Sequence, residues 1–210
     1  MRQTLLVLGL FALALAWIAP LPQLGREAFW VHMTMHVTVV AVASPLLALG
    51  VAGGRWDPVP FAPRFFSPIP ASIVELIVVW VWHAPLLHHA ARNSNMGFIA
   101  EQATFLLTGL VMWLSAVGGN PATTASRRAA GVTGLLLTSI HMTILGALLA
   151  LAPRPLFRHA AAGSTLTPLE DQHLGGAIML LVGGVSYLAG GLGLTLGLMR
   201  SWPRKAGERT

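Results

Sequence analysis

The chain predicts an all-α fold: a polytopic membrane helix bundle of about six transmembrane helices, forming a single integral membrane domain over residues 1–210. Three observations carry this. The residues are 55% hydrophobic and only 10% charged, whereas a soluble domain carries roughly 25% charged residues. Apolar runs near the length that crosses a bilayer, about 20 residues, recur along the whole chain. The runs are continuous and lack the period-two alternation of barrel strands.

The runs are predicted at residues 5–20, 28–50, 71–90, 96–117, 129–152 and 174–199. The first follows Arg2 and ends at Pro20. It resembles a signal peptide in outline, but Pro20 and Pro22 read as a helix exit, so a retained helix is expected. In the second, Pro45 is expected to kink or end the helix. A Pro/Gly-rich loop leads to the third, which closes on Trp80, Trp82 and His83 and continues through His88 and His89. The fourth begins near Met96, with Glu101 and Gln102 in its early turns, and stops before the turn signal Gly118-Gly119-Asn120-Pro121. The fifth carries His141 and Met142 at its middle. Asp171, Gln172 and His173 introduce the sixth, whose many glycines should let helices approach closely.

Loop charge predicts the orientation. With the N-terminus cytoplasmic, the inside segments hold nine basic residues: Arg2, Arg55, Arg64, Arg127, Arg128, Arg200, Arg204, Lys205 and Arg209. The outside segments hold four: Arg26, Arg92, Arg154 and Arg158. The positive-inside rule then sets both termini in the cytoplasm. The expected location is the inner (cytoplasmic) membrane. The net charge of +6 belongs to this asymmetry, and no nucleic-acid surface is expected.

That orientation gathers the polar residues at one level. His32 and His36 lie four residues apart and share a helix face, with Met33 and Met35 between them. Histidine is costly in hydrocarbon unless it meets a partner, water or the bundle interior. His32, His36, His83, Glu101, His141, Asp171 and His173 all fall toward the periplasmic side, and Glu75 is the ionisable exception near the other. Imidazole and thioether together suit a soft cation such as Cu(I). The metal ligands expected first are His32, His36, His83 and His141, with Met33, Met35, Met142, Glu101, His173 and Asp171 as second candidates. Blander roles are expected elsewhere. His88, His89 and His159 read as interfacial or loop residues, Trp80 and Trp82 as an aromatic belt. Asp171 can equally cap the sixth helix.

Other chemistry is excluded by what is missing. The chain has no cysteine, hence no disulfide or thiolate site. It has no phosphate loop, no HExxH and no GxSxG elbow. No enzyme with its own turnover is expected.

In order along the chain stand His32-Met33-x-x-His36, Pro45-Leu46-Leu47-x-Leu49-Gly50, Trp82-His83-x-Pro85, Glu101, His141-Met142 and Asp171-Gln172-x-x-Gly175-Gly176. In this order the chain resembles the CtaG family of cytochrome c oxidase (caa-type) assembly factors. One position departs: the family pattern has Glu-His where this chain has Glu101-Gln102. The resemblance implies a role in building haem-copper oxidase, most plausibly by supplying or placing copper. The implied partners are an oxidase subunit or other assembly factors, within the lipid bilayer. Two alternatives remain at this point: a haem-binding membrane protein with bis-His ligation, and a structural assembly or copper-uptake factor whose histidines are packing.

Overall fold

The computed structural model describes residues 1–18, 20–119, 125–157 and 165–201. His159, Asn120-Pro121 and the basic residues Arg158, Arg204, Lys205 and Arg209 lie outside the described residues. Ten α-helices follow one another, with no strand among the described residues: α1 (Arg2–Trp17), α2 (Leu21–Glu27), α3 (Phe29–Val37), α4 (Ser44–Val51), α5 (Pro68–Trp82), α6 (Pro85–Asn93), α7 (Asn95–Val117), α8 (Ala125–Ala150), α9 (Pro168–Ile178) and α10 (Gly184–Ser201). Two π-helical turns, Thr38–Ala43 and Met179–Gly183, join α3 to α4 and α9 to α10 into continuous rods. Four helical stretches are long and apolar enough to cross a membrane: Phe29–Val51, Asn95–Val117, Ser126–Ala150 and Pro168–Arg200. The number rises to six when the bent pairs α1/α2 and α5/α6 each count as one span. The protein is thus a polytopic helical membrane bundle, as predicted.

Of the two outcomes expected at Pro45, a kink or an end, the end does not form: the helix runs on to Val51. Proline lacks an N–H and its ring crowds the carbonyl one turn earlier. The wide turn at Thr38–Ala43 immediately before it relieves that crowding and leaves carbonyls open. Three consecutive carbonyls then accept side-chain hydroxyls. Val39 O takes Ser44 Oγ at 2.8 Å, Val40 O takes Tyr187 Oη at 3.1 Å, and Ala41 O takes Ser186 Oγ at 2.6 Å.

The third span also differs from expectation. It is not one helix over 71–90 but two, bent by 74° between Trp82 and Pro85. Pro85 disfavours helical backbone at the residue before it, and Ala84 is extended with ψ 131°. The chain therefore folds α6 aside, and this decides the composition of the site below.

Close packing shows clearly where α1 meets α4. A Cβ added at Gly9 would stand 2.8 Å from Leu47 Cγ, and one at Gly50 would stand 2.7 Å from Leu6 Cγ. Each helix thus seats the other's leucine in an antiparallel pair, the contact that small residues allow in membranes. The expectation of glycine-mediated approach holds for Gly190, whose Cβ would meet the Trp113 ring at 2.5 Å. A Cβ added at Gly193 or Gly197 would meet no packed neighbour within 4 Å. Large apolar side chains such as Leu8 and Phe11 of α1, Ile73 and Ile77 of α5 and Ile144 and Leu148 of α8 are exposed outside the bundle. With no water in hydrocarbon to satisfy open backbone, helices showing such faces are the structures a bilayer accepts.

Candidate metal centre

The π-joined rod α3–α4 carries the opening histidine pair, and its N-terminus is fixed from a distance. Asp171 Oδ2 accepts from Phe29 N and Asp171 Oδ1 from Trp30 N, each at 2.8 Å. Asp171 therefore does not cap its own helix. That task falls to Thr167 and Glu170, which form a reciprocal capping box at the start of α9. The sequence showed a carboxylate at a helix start but not that the helix it serves lies about 140 residues earlier. Beside this cap, Gly175 admits Phe29, since a Cβ there would stand 2.5 Å from the Phe29 ring.

Below the cap lie two groups of side chains. The first joins His32, His88 and Glu101, one ligand atom of each lying within 4.8 Å of the others. Among the described residues no other three histidine or carboxylate groups are so placed. All three are buried. The His32 and His88 rings meet edge to face at 4.8 Å between centroids. His32 Nε2 is 3.3 Å from Glu101 Oε1, yet that oxygen has no aligned hydrogen bond. Its partner oxygen accepts from Gln102 Nε2 at 3.3 Å, and Gln102 Oε1 accepts from Trp17 Nε1 at 3.0 Å. Gln102, at the position that departs from the CtaG pattern, thus orients Glu101 and ties α7 to α1.

His88 corrects the sequence reading. It was expected at the membrane interface, but it is fully buried, because the bend at Pro85 folds α6 over the end of α3. There its ring packs between Phe29 and Phe157, with centroids 5.4 Å and 4.4 Å away. His89, the next residue, is exposed. Arg92, one turn along α6, places Nη1 3.3 Å from His88 Nε2 and donates through Nε to Arg26 O at 2.8 Å. A guanidinium can only donate. The His88 Nε2 lone pair is therefore committed to Arg92.

The second group lies one helical turn deeper. His36 is fully buried, and neither of its ring nitrogens has a hydrogen-bond partner. Its ring stands 5.3 Å from that of His83 and 4.1 Å from that of Phe105. His83 caps the C-terminus of α5, and its Nδ1 is 2.6 Å from Val79 O. A carbonyl cannot donate, so Nδ1 holds the hydrogen. In the neutral ring, Nε2 then presents a bare lone pair. The atom it faces is Met33 Sδ, 3.5 Å away. An imidazole lone pair and a thioether are thus turned toward each other beside an imidazole with no partner.

Neither His141 nor His173 joins the cluster of His32, His88 and Glu101. Met35 is buried beneath α2, where a Cβ at Gly25 would stand 2.9 Å from its sulfur. His141 is buried on α8 with both ring nitrogens unpartnered, and Met142 beside it packs toward Gly183. His173 is half-buried and lies 2.9 Å from Ala152 O through Nε2. Of the two tryptophans expected in a belt, Trp80 is partly exposed, and Trp82 donates through Nε1 to Thr104 Oγ1 at 2.9 Å. A cavity of about 520 Å³ lined by Arg2, Gly53, Gly119, Arg127 and Arg128 opens elsewhere and includes none of the histidines.

Residues 1–201 match the family described as cytochrome c oxidase caa3 assembly factor (Caa3_CtaG). The chain belongs to that family. No curated protein and no solved structure matches it. Family membership implies interaction with the oxidase or its assembly machinery, and places this multi-pass bundle among assembly factors.

Proposed function

We propose that the protein binds Cu(I) between α3 and α5 and hands it, as cargo, to a subunit of haem-copper oxidase during assembly. The observation that carries this reading is the His83 Nε2 lone pair set against Met33 Sδ, with the unpartnered His36 ring alongside. Leaving buried polar atoms unpaired costs about 1–3 kcal/mol each. Soft nitrogen and sulfur donors in a dry site are what a monovalent copper ion recognises. His36, His83 and Met33 are the proposed ligands. His32 and Glu101 form the mouth, where the carboxylate attracts the cation. His88 stands by it but is held by Arg92, which makes it a poorer ligand than proximity alone suggests. The role is one of transfer, without turnover of its own. On the charge asymmetry of the loops, this end of the bundle faces the periplasm.

The test is metal analysis of protein purified after copper-supplemented growth, with a variant carrying His36→Ala, His83→Ala and Met33→Ala beside it. Copper should be present in the parent and lost from the variant. Equal stoichiometry in the two would overturn the ligand assignment. A haem held by His36 and His83 would need a macrocycle between rings whose centroids are 5.3 Å apart. A Soret band in the purified protein would replace the copper reading with that one.

A further inference from the structure

Glu75 lies in the middle of α5, fully buried. Nothing in the copper reading uses it. One carboxyl oxygen is hydrogen-bonded with Tyr187 Oη, and the other lies 3.3 Å from Thr138 Oγ1. Thr138 Oγ1 is also 2.9 Å from Ser72 Oγ, and Tyr187 Oη is 3.1 Å from Val40 O. Among the described residues no cation pairs with the carboxyl. Four helical elements thus converge on one acid: α5 itself, α8 through Thr138, α10 through Tyr187, and the first π turn through Val40.

The hydrogens of this network can be counted. Tyr187 owns one hydroxyl hydrogen but faces two acceptors, Val40 O and a Glu75 oxygen. Val40 O is a carbonyl and never donates. If Glu75 is ionised it cannot donate either, and one of the two contacts lacks a hydrogen. If Glu75 is protonated, its O–H donates to Tyr187 Oη, the Tyr187 O–H donates to Val40 O, and both contacts are complete. Thr138 can then donate to the other carboxyl oxygen. An unpaired charge in this setting would also be left without a counter-ion, the circumstance in which a buried acid stays neutral.

We propose that Glu75, Tyr187 and the Val40 carbonyl form a proton-binding site, in which the proton on Glu75 holds α10 to the π turn of the histidine-bearing rod. The ligand is a proton. When it leaves, Tyr187 turns its hydrogen to the carboxylate and the bond to Val40 O is given up. Val40 follows His36 by one turn, so proton occupancy and the seating of the histidine rod are linked. Tyr187 is the titratable group that touches the acid. The others on the elements packed around it are His83, two turns away on α5, His32 and His36 on the rod, Glu101 toward the far end of α7, His141 one turn from Thr138 on α8, Arg127 and Arg128 at the start of α8, and Arg200 near the end of α10. The proposal is independent of copper and can fail without it.

Infrared spectroscopy of the purified, metal-free protein at neutral pH tests it. The C=O stretch of a protonated carboxylic acid should be present, should shift to lower frequency in D2O, and should vanish in Glu75→Gln. Glu75→Gln should otherwise retain yield and melting temperature, because the amide is a neutral replacement that can donate to Tyr187. A protonated-acid region identical in the parent and Glu75→Gln overturns the proposal. Should that variant fold poorly, Tyr187→Phe decides: the band should persist and move to higher frequency as its hydrogen bond is lost. A band unmoved by Tyr187→Phe, or no protonated acid in the parent, overturns it as well.

Discussion

Glu75 has a hydroxyl partner at each carboxyl oxygen, whereas His36, buried to the same degree, has a partner at neither ring nitrogen. Both sit in the same bundle, and both are residues that hydrocarbon disfavours. The difference lies in what surrounds them. Around Glu75 the neighbours are hydroxyls and a carbonyl freed by a π turn, groups that close hydrogen bonds among themselves. Around His36 they are another imidazole and a phenyl ring, and neither gives its ring nitrogens a hydrogen bond. A closed network holds its protons and stiffens the packing. An open set of lone pairs leaves binding capacity for something from outside.

Substitutions can break this contrast, and the largest effect is expected at the closed network. Glu75→Ala removes the carboxyl that Tyr187 and Thr138 share and leaves a void, which should cost about 3 kcal/mol of stability. Thermal unfolding in detergent reads this directly, and a cost under about 1 kcal/mol would mean that the network is not closed. Next comes the cap above the histidines. Asp171→Ala removes the acceptor for two N–H groups at the start of α3 and should cost about 2 kcal/mol, within the range of lost helix caps. Asp171→Asn should cost about half as much, because one acceptor oxygen remains. Equal losses for both would show that charge, not acceptor count, matters there.

A smaller effect of opposite sign is expected in the open set. His36→Leu exchanges two unpartnered nitrogens for apolar atoms and should stabilise the metal-free protein by about 1 kcal/mol. The same change should abolish copper retention. Loss of stability by more than about 2 kcal/mol would show that the ring is satisfied in the folded protein, and the contrast with Glu75 would disappear. The smallest effect concerns the mouth. Arg92→Gln removes a cation beside His88 and should tighten copper about threefold, under 1 kcal/mol, while Arg92→Lys should leave affinity near that of the parent. A competition titration with a chromophoric Cu(I) chelator measures both, and unchanged affinity in Arg92→Gln would remove Arg92 from any electrostatic role.

What the sequence by itself determined rests on short-range rules. Hydropathy over about 20 residues located the spans, because bilayer thickness sets that length. Helical periodicity put His32 and His36 on one face, because residues four apart are neighbours on a helix. The cost of ionisable groups in hydrocarbon marked His83, Glu101 and Glu75 as unusual before any packing was known. Tertiary structure alone decided which of these meet. The proline at 85 was visible, but its 74° consequence, which carries His88 from the expected interface into the core, depends on what α6 finds to pack against. The same holds for Asp171, which looked like a cap for its own helix and caps another. It holds also for Tyr187, which shows no signal in its own neighbourhood and meets Glu75 from 112 residues away. Local spacing governs contacts within a turn or two of helix. Contacts across the bundle are set by how rods of fixed length tilt, bend at prolines and widen at π turns, and those choices emerge only when all the helices are packed together.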